Sequence, residues 1–250
     1  RPLAADAIAT LLTLQSLGAP SAETSRSASA SSELLARLAD ELAALRAAGA
    51  VDPSEAPATA AWLSLAEGHA RLALGDPERA QALYHEARKR FSHADAPAQL
   101  VALAELDEAI ALSAVAPPSS LAVSLAERAL ATRRTALGSS DPRIALETRA
   151  LGEILVRTGD VDGALRRYAE ADAMLETHEL PLERLLLRAE LAHAQWLAAR
   201  RARAQAKQAE LEGRDATSLR ADFERRRHLA LRETLELERL AEPLLAAPSA

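Results

Sequence analysis

The sequence contains no cysteine and no asparagine, and only six of its 250 residues are aromatic. The absence of cysteine excludes disulfide bonds, thiolate catalysis and thiolate metal sites. With so few aromatic side chains, the 49 % of hydrophobic residues must form a core mainly from alanine and leucine, which favours closely packed helices. The longest apolar stretch, Leu3 to Leu17, has about fifteen residues and polar interruptions, so it is too short to cross a bilayer.

Catalytic signatures are missing as well. The sequence has no glycine-rich phosphate loop followed by GK[ST] and no GxSxG elbow around a serine. Its six histidines occur singly, without the paired helical spacing and glutamate of a zinc site. They are His69, His85, His93, His178, His193 and His228. We therefore predict no enzymatic activity, no cofactor and no metal.

The balance of charge argues against a general nucleic-acid binder. Thirty basic and 36 acidic residues give a net charge of −6. The basic clusters at 200–207 and 225–227 are interleaved with glutamates and have almost no aromatic residues for base stacking. We interpret both clusters as solvated, ion-paired helix faces, and we expect no nucleic-acid partner.

An internal repeat organises the chain. Five small or aromatic residues recur at offsets of 0, 7, 12, 16 and 19 in two segments that are 84 residues apart. The two sets are Gly68, Gly75, Ala80, Tyr84 and Ala87, and Gly152, Gly159, Ala164, Tyr168 and Ala171. The separation is twice 42, and a weaker copy lies half-way, at Ile110, Pro117, Ala122, Ala126 and Ala129. A further step of 42 residues reaches Ala194, Arg201 and Ala206, a copy without a turn glycine or an aromatic residue.

Each copy of the repeat predicts two helices joined by a tight turn. Gly152 lies within the first helix, where glycine is unfavourable unless a neighbouring helix backbone approaches closely. Gly159 suits a left-handed helix end, and Asp160 is placed to cap the second helix. The second helix carries an i, i+4, i+7 stripe of Ala164, Tyr168 and Ala171, in which small residues leave room and the tyrosine fills the gap.

This pattern resembles the tetratricopeptide repeat, in which a helical hairpin carries glycine, alanine, aromatic and alanine residues at this spacing. The 42-residue period is similar to the longer, kinesin-light-chain type, and the resemblance covers roughly residues 57–212. It implies an all-α fold, a right-handed superhelical solenoid of antiparallel helix hairpins with capping helices at both ends. Similar arrays are appended to bacterial serine/threonine kinases and other signalling proteins.

The chain is predicted to divide into five segments. Residues 1–18 form an N-terminal helix, 19–32 a flexible Ser/Ala-rich linker and 33–50 a capping helix. Residues 57–212 form the repeat array, and 216–247 form a long charged helix that caps its far end. The buried face of the first capping helix is predicted from Leu34, Leu35, Leu38, Leu42 and Leu45. The units of the array are about 57–95, 97–138, 142–178 and 182–212, with helices near 57–74, 77–92, 97–115, 119–137, 142–158 and 161–177.

The resemblance implies that the first helix of each hairpin lines a concave groove that binds a protein segment. The side chains predicted for this groove are Trp62, Leu65, His69, Asp107, Glu108, Arg149, Glu153, Arg157, Arg188 and Gln195. Capture of a C-terminal carboxylate by lysine and asparagine, as in some members of the family, is not expected because the chain has no asparagine.

The sequence therefore predicts a cytoplasmic, non-catalytic scaffold or adaptor whose partner is a segment of another protein. Two alternatives stay open. One is the C-terminal regulatory or docking part of a larger bacterial signalling enzyme such as a serine/threonine kinase, because the sequence begins at Arg1 and not at methionine. The other is a structural subunit that self-associates through its C-terminal helix.

Overall fold

The computed structural model describes residues 22–48, 56–178 and 180–246. Within these ranges the chain forms nine helices and no strand. They are α1 (Ala22–Ala47), α2 (Pro57–Ala73), α3 (Pro77–His93), α4 (Ala98–Val115), α5 (Ser120–Leu137), α6 (Pro142–Thr158), α7 (Val161–Leu175), α8 (Pro181–Leu211) and α9 (Thr217–Ala246). The six helices predicted between 57 and 177 lie within two residues of the observed α2 to α7.

Local signals fix where these helices begin and end. The side chain of Asp76 accepts a hydrogen bond from the backbone N–H of Arg79 at 3.1 Å, and the side chain of Asp160 accepts one from Gly163 at 2.9 Å. These contacts satisfy N–H groups that have no partner inside the helix. Gly159 ends α6 in the left-handed conformation, with φ of 87°, as glycine permits. The predicted turn chemistry is therefore confirmed in both clear copies of the repeat.

The helices fall into two compact units, residues 1–136 and 137–250. In unit 1, α1 packs on α2, α2 on α3 and α3 on α4, and Arg128 of α5 pairs with Glu105 of α4. In unit 2, α6 packs on α7, α7 on α8 and α8 on α9, and α6 also meets α8. The prediction of an all-helical chain is confirmed for the described residues, and within each unit helices that follow one another in the chain pack together.

Alanine stripes form the core of the hairpins. In each copy the predicted stripe on the second helix is buried, including the half-way copy that has alanine in place of tyrosine. Its members are Ala80, Tyr84 and Ala87, Ala122, Ala126 and Ala129, and Ala164, Tyr168 and Ala171. Small residues allow close approach of the helices, and the two tyrosines fill the remaining space.

The sequence predicted that a neighbouring helix backbone approaches the helical glycine. This prediction is wrong, because the two helical glycines each face an aromatic ring. A Cβ atom added at Gly68 would lie 2.5 Å from Cε1 of Tyr84, and one added at Gly152 would lie 2.5 Å from Cε1 of Tyr168. Each glycine and the tyrosine 16 residues later therefore form one packing unit.

The first two predicted segments differ in how they compare with the structure. The helix predicted for residues 1–18 lies outside the described residues. The linker predicted for 19–32 is wrong from residue 22 onward, because α1 begins at Ala22. Residues 22–32 contain no glycine or proline, so the helix continues through their alanines and serines without a break.

The capping helix and the fourth unit also differ from prediction. Within 31–47 of α1, Leu35 and Ala39 are buried whereas Leu34, Leu38 and Leu45 are exposed, so this part of the helix packs through a face rotated from the predicted one. The unit predicted over 182–212 is one continuous helix of 31 residues and not a hairpin. No glycine or proline interrupts it near Arg201, and its hairpin partner is α9, which follows Gly213.

Candidate partner-binding face

The glycine–tyrosine contacts position a polar bridge in each unit. In unit 1, the His69 ring lies over Tyr84, with ring centroids 5.4 Å apart and an interplanar angle of 57°. Nε2 of His69 donates a hydrogen bond to Oδ2 of Asp107 at 3.0 Å, which links α2 directly to α4. The His69 side chain is 41 % exposed and that of Asp107 is 13 % exposed, so this bridge lies at the surface of the unit.

The protonation of His69 depends on this bridge. Burial opposes the charged imidazolium, but the hydrogen bond and the negative charge of Asp107 outweigh burial. The pKa of His69 therefore lies above its ordinary value of 6.5.

Trp62 lies two helical turns before His69 on the same side of α2. It is 44 % exposed, and its ring meets that of Phe91 edge to face, with centroids 5.3 Å apart and an interplanar angle of 80°. One side of the indole thus packs on the core while the rest faces solvent. We call Trp62, His69 and Asp107 the aromatic face of unit 1.

Unit 2 has an equivalent bridge made of ions. Nη1 of Arg149 on α6 donates to Oε1 of Glu190 on α8 at 2.5 Å, and Arg157 pairs with Glu153 one turn earlier on α6. Burial raises the pKa of the Tyr168 phenol most, and the charges of Glu190 and Glu153 raise it further. We call Arg149, Glu153, Arg157 and Glu190 the arginine face of unit 2.

Glu190 is the most perturbed carboxyl group of this face. Burial raises its pKa most, the charge of Glu153 raises it further, and Arg149 and Arg157 oppose the change, with the result that the pKa is about 7. Its Oε2 atom and the Nε atom of Arg149 are buried without a hydrogen-bond partner. The carboxylate therefore changes its charge near neutral pH.

The structure brings together only part of the predicted groove set. The predictions for Leu65, Glu108 and Arg188 are wrong. Leu65 is 3 % exposed and belongs to the core. Glu108 faces α3, where it accepts hydrogen bonds from Nδ1 of His85 at 2.8 Å and Nε of Arg88 at 2.7 Å.

Arg188 projects toward α7 and α9 instead of the predicted groove. It donates to Oδ2 of Asp172 at 2.5 Å and to Oε2 of Glu233 at 2.9 Å. A helix presents different faces to different neighbours, and the repeat spacing alone placed Arg188 on the wrong one. Gln195 is half-buried on α8.

Glu190 is the residue that the sequence analysis missed. It follows Arg149 by 41 residues, and Asp107 follows His69 by 38, so each bridge joins positions about one repeat apart. A search for opposite charges one repeat apart on successive first helices would have found it.

A polar pocket of about 120 Å³ lies apart from the arginine face, in the same unit. Its lining includes Asp162, Arg201, Asp222 and Arg226. Arg226 donates to Asp162 and Asp222 at 2.8 Å each, and Arg201 donates to the backbone oxygen of Gly159 at 3.3 Å. Two carboxylates thus neutralise Arg226, whereas the described partner of Arg201 is a backbone oxygen.

The rest of the described chain offers no alternative centre. No group of three or more His, Cys, Asp or Glu residues with metal-site geometry occurs in residues 22–48, 56–178 and 180–246. None of the helices in those ranges is long and apolar enough to span a membrane. No protein-family model matches the chain, and no curated protein matches it significantly.

Proposed function

We propose that this protein is a non-catalytic interaction module that binds a segment of a partner protein on the first-helix faces of its hairpins. In this proposal the hairpins form a tetratricopeptide-like array, a right-handed superhelix in which those faces line the groove. The observation that carries the proposal is the exposed Trp62 beside the His69–Asp107 bridge. A large aromatic side chain that is anchored on the core and open to solvent is the type of residue that dominates binding at protein interfaces.

The two units contribute different chemistry to such binding. The aromatic face offers an apolar surface next to an acid, whereas the arginine face carries two arginines that are already paired with glutamates. Removal of an exposed ion pair changes stability little, but Arg149 neutralises a buried carboxylate. The aromatic face is therefore the better place to test binding.

The test uses the second tryptophan as a matched control. Trp62→Ala should greatly reduce recovery of the proteins captured by the wild-type chain from a lysate of its source, as measured by quantitative mass spectrometry. Trp196→Ala should leave recovery unchanged, because Trp196 is similarly exposed, at 37 %, but lies on α8 and donates to Thr234. Equal recovery by all three proteins would exclude the aromatic face.

A second candidate function is self-association through α9. Leu231 and Leu235 lie one turn apart on this helix and are 42 % and 65 % exposed, although α9 packs along α8. Light scattering should then give a dimer for the wild type and a monomer for the Leu231→Glu, Leu235→Glu variant. A wild-type monomer at high protein concentration would remove this candidate.

A further inference from the structure

The acidic residues of α2 and α4 differ in their partners. There are four of them, Glu67, Glu105, Asp107 and Glu108. Glu67 pairs with Arg46, Glu105 with Arg128 and Glu108 with Arg88. Glu108 also pairs with His85, so among the described ion pairs of these helices Asp107 is the carboxylate whose partner is a histidine without an arginine.

A second group at the same place has unused hydrogen-bonding capacity. Tyr84 is fully buried, and its hydroxyl has no hydrogen-bond partner among the described residues. Burial raises the pKa of this phenol most, and the negative charge of Asp107 raises it further. A buried hydroxyl without a partner is unfavourable.

We propose that the aromatic face binds a basic residue of the partner segment, with the cation on Asp107 and a neighbouring apolar residue of the segment on Trp62. This inference rests on the proposed function and names the chemistry of the partner. A guanidinium or ammonium group supplies several hydrogen-bond donors and a permanent positive charge opposite the Asp107 carboxylate. An exposed indole accepts an apolar side chain or the aliphatic part of a long one.

The spacing of the two anchors defines the segment. The cation site is located by His69, whose ring lies 3.0 Å from Asp107, and His69 follows Trp62 by seven residues on α2, about 10 Å along the helix. An extended peptide covers that distance in about three residues. The recognised segment therefore carries an apolar residue and an arginine or lysine about three positions apart.

His69 competes with the partner for Asp107. When the imidazole is protonated it neutralises the carboxylate, and when it is neutral the negative charge is available to an incoming cation. His69 faces Asp107 on α4 and Tyr84 on α3. The charged groups of α1 that reach α2 already have ion-pair partners other than His69. Asp40 pairs with Arg71, and Arg46 pairs with Glu67 and Glu86. Binding of the basic segment should therefore strengthen as pH rises through the pKa of His69.

The experiment begins with selection of a random-peptide phage library on the full chain, with counter-selection on Trp62→Ala. Basic residues should be enriched about three positions from an apolar residue in the selected peptides. A synthetic peptide from this set is then titrated by the fluorescence of Trp62 in a Trp196→Phe background. Its citrulline analogue, which keeps the shape of arginine without the charge, should bind about tenfold more weakly.

Three variants complete the test. Asp107→Asn should weaken binding about tenfold, whereas Asp95→Asn, which removes an exposed carboxylate from the same unit, should leave it unchanged. Wild-type binding should weaken severalfold between about pH 8 and pH 6, and His69→Gln should abolish that dependence.

The outcomes distinguish a failure of this inference from a failure of the proposed function. Peptides that depend on Trp62 but show no preference for basic residues, or a citrulline analogue of equal affinity, overturn this inference and leave the proposed function in place. Failure to select any peptide that depends on Trp62 overturns both.

Discussion

Gly152→Ala tests the contact between a helical glycine and a tyrosine ring, which occurs once in each unit of the protein. A Cβ atom at this position would lie 2.5 Å from Cε1 and 2.8 Å from Cδ1 of Tyr168, which is closer than real side-chain contacts allow. Tyr168 is only 2 % exposed, so its rigid ring has little space into which it can move. We expect the variant to be less stable even though alanine is the better helix former.

The magnitude follows from two opposing effects. Overpacking a well-packed core costs about 1–3 kcal/mol, and replacing a helical glycine by alanine stabilises the helix by about 0.5–1 kcal/mol. The net loss for Gly152→Ala should therefore be about 0.5–2 kcal/mol, which lowers the melting temperature by a few degrees in a chain of this size. Gly152→Leu adds more volume at the same place and should be more destabilising.

Thermal unfolding followed by far-UV circular dichroism measures the loss, and a double-mutant cycle assigns its cause. In a Tyr168→Leu background the ring is absent, so Gly152→Ala should become neutral or stabilising by up to about 1 kcal/mol. If Gly152→Ala stabilises the wild type and the Tyr168→Leu background equally, the glycine does not serve the ring and the argument fails.

Three further predictions concern charge and capping. Because the pKa of Glu190 is raised to about 7, its contribution to stability is full below the unfolded pKa of 4.5 and is lost as pH rises through about 7. Glu190→Gln should therefore raise the melting temperature at about pH 8 more than at pH 5, while Glu238→Gln, at an exposed site on α9, should change neither. Asp160→Ala should cost about 1 kcal/mol in urea unfolding and Asp160→Ser much less, since serine also caps. Glu67→Ala should cost about 1–3 kcal/mol, because it removes the buried carboxylate on which Arg46, Arg71 and Arg79 converge, although Arg46 and Arg71 keep Glu86 and Asp40 as partners, and a loss below about 1 kcal/mol would contradict this.

Much of the fold could be predicted because its signals are local. Proline at the first helical position, aspartate caps and left-handed glycines act on the nearest backbone groups, so α2 to α7 were placed within two residues. The alanine and tyrosine stripes were also found from spacing, since side chains three or four residues apart share a helix face. The linker was misplaced for the opposite reason: residues 22–32 lack an apolar face but contain nothing that stops a helix.

The candidate site was predicted only in part. The repeat spacing selected His69 and Asp107, whose side chains are in contact, but it also selected Arg188, which turns to neighbours that the spacing cannot identify. A charged side chain lies toward whichever opposite charge the packed helices bring within reach, and that charge is often far away in the sequence.

The sequence by itself determined that the chain is helical, where most of its helices begin and end, and which small and aromatic residues fill the hairpins. These properties depend on backbone hydrogen bonds and on side-chain periodicity within one helix. Only the tertiary structure decided that Gly68 and Gly152 accommodate tyrosine rings, that α1 buries Leu35 and not Leu34, and that Glu190 is held by Arg149. Those outcomes depend on the rotation and depth at which helices distant in sequence pack together, which sets the burial of each side chain and the charges it meets.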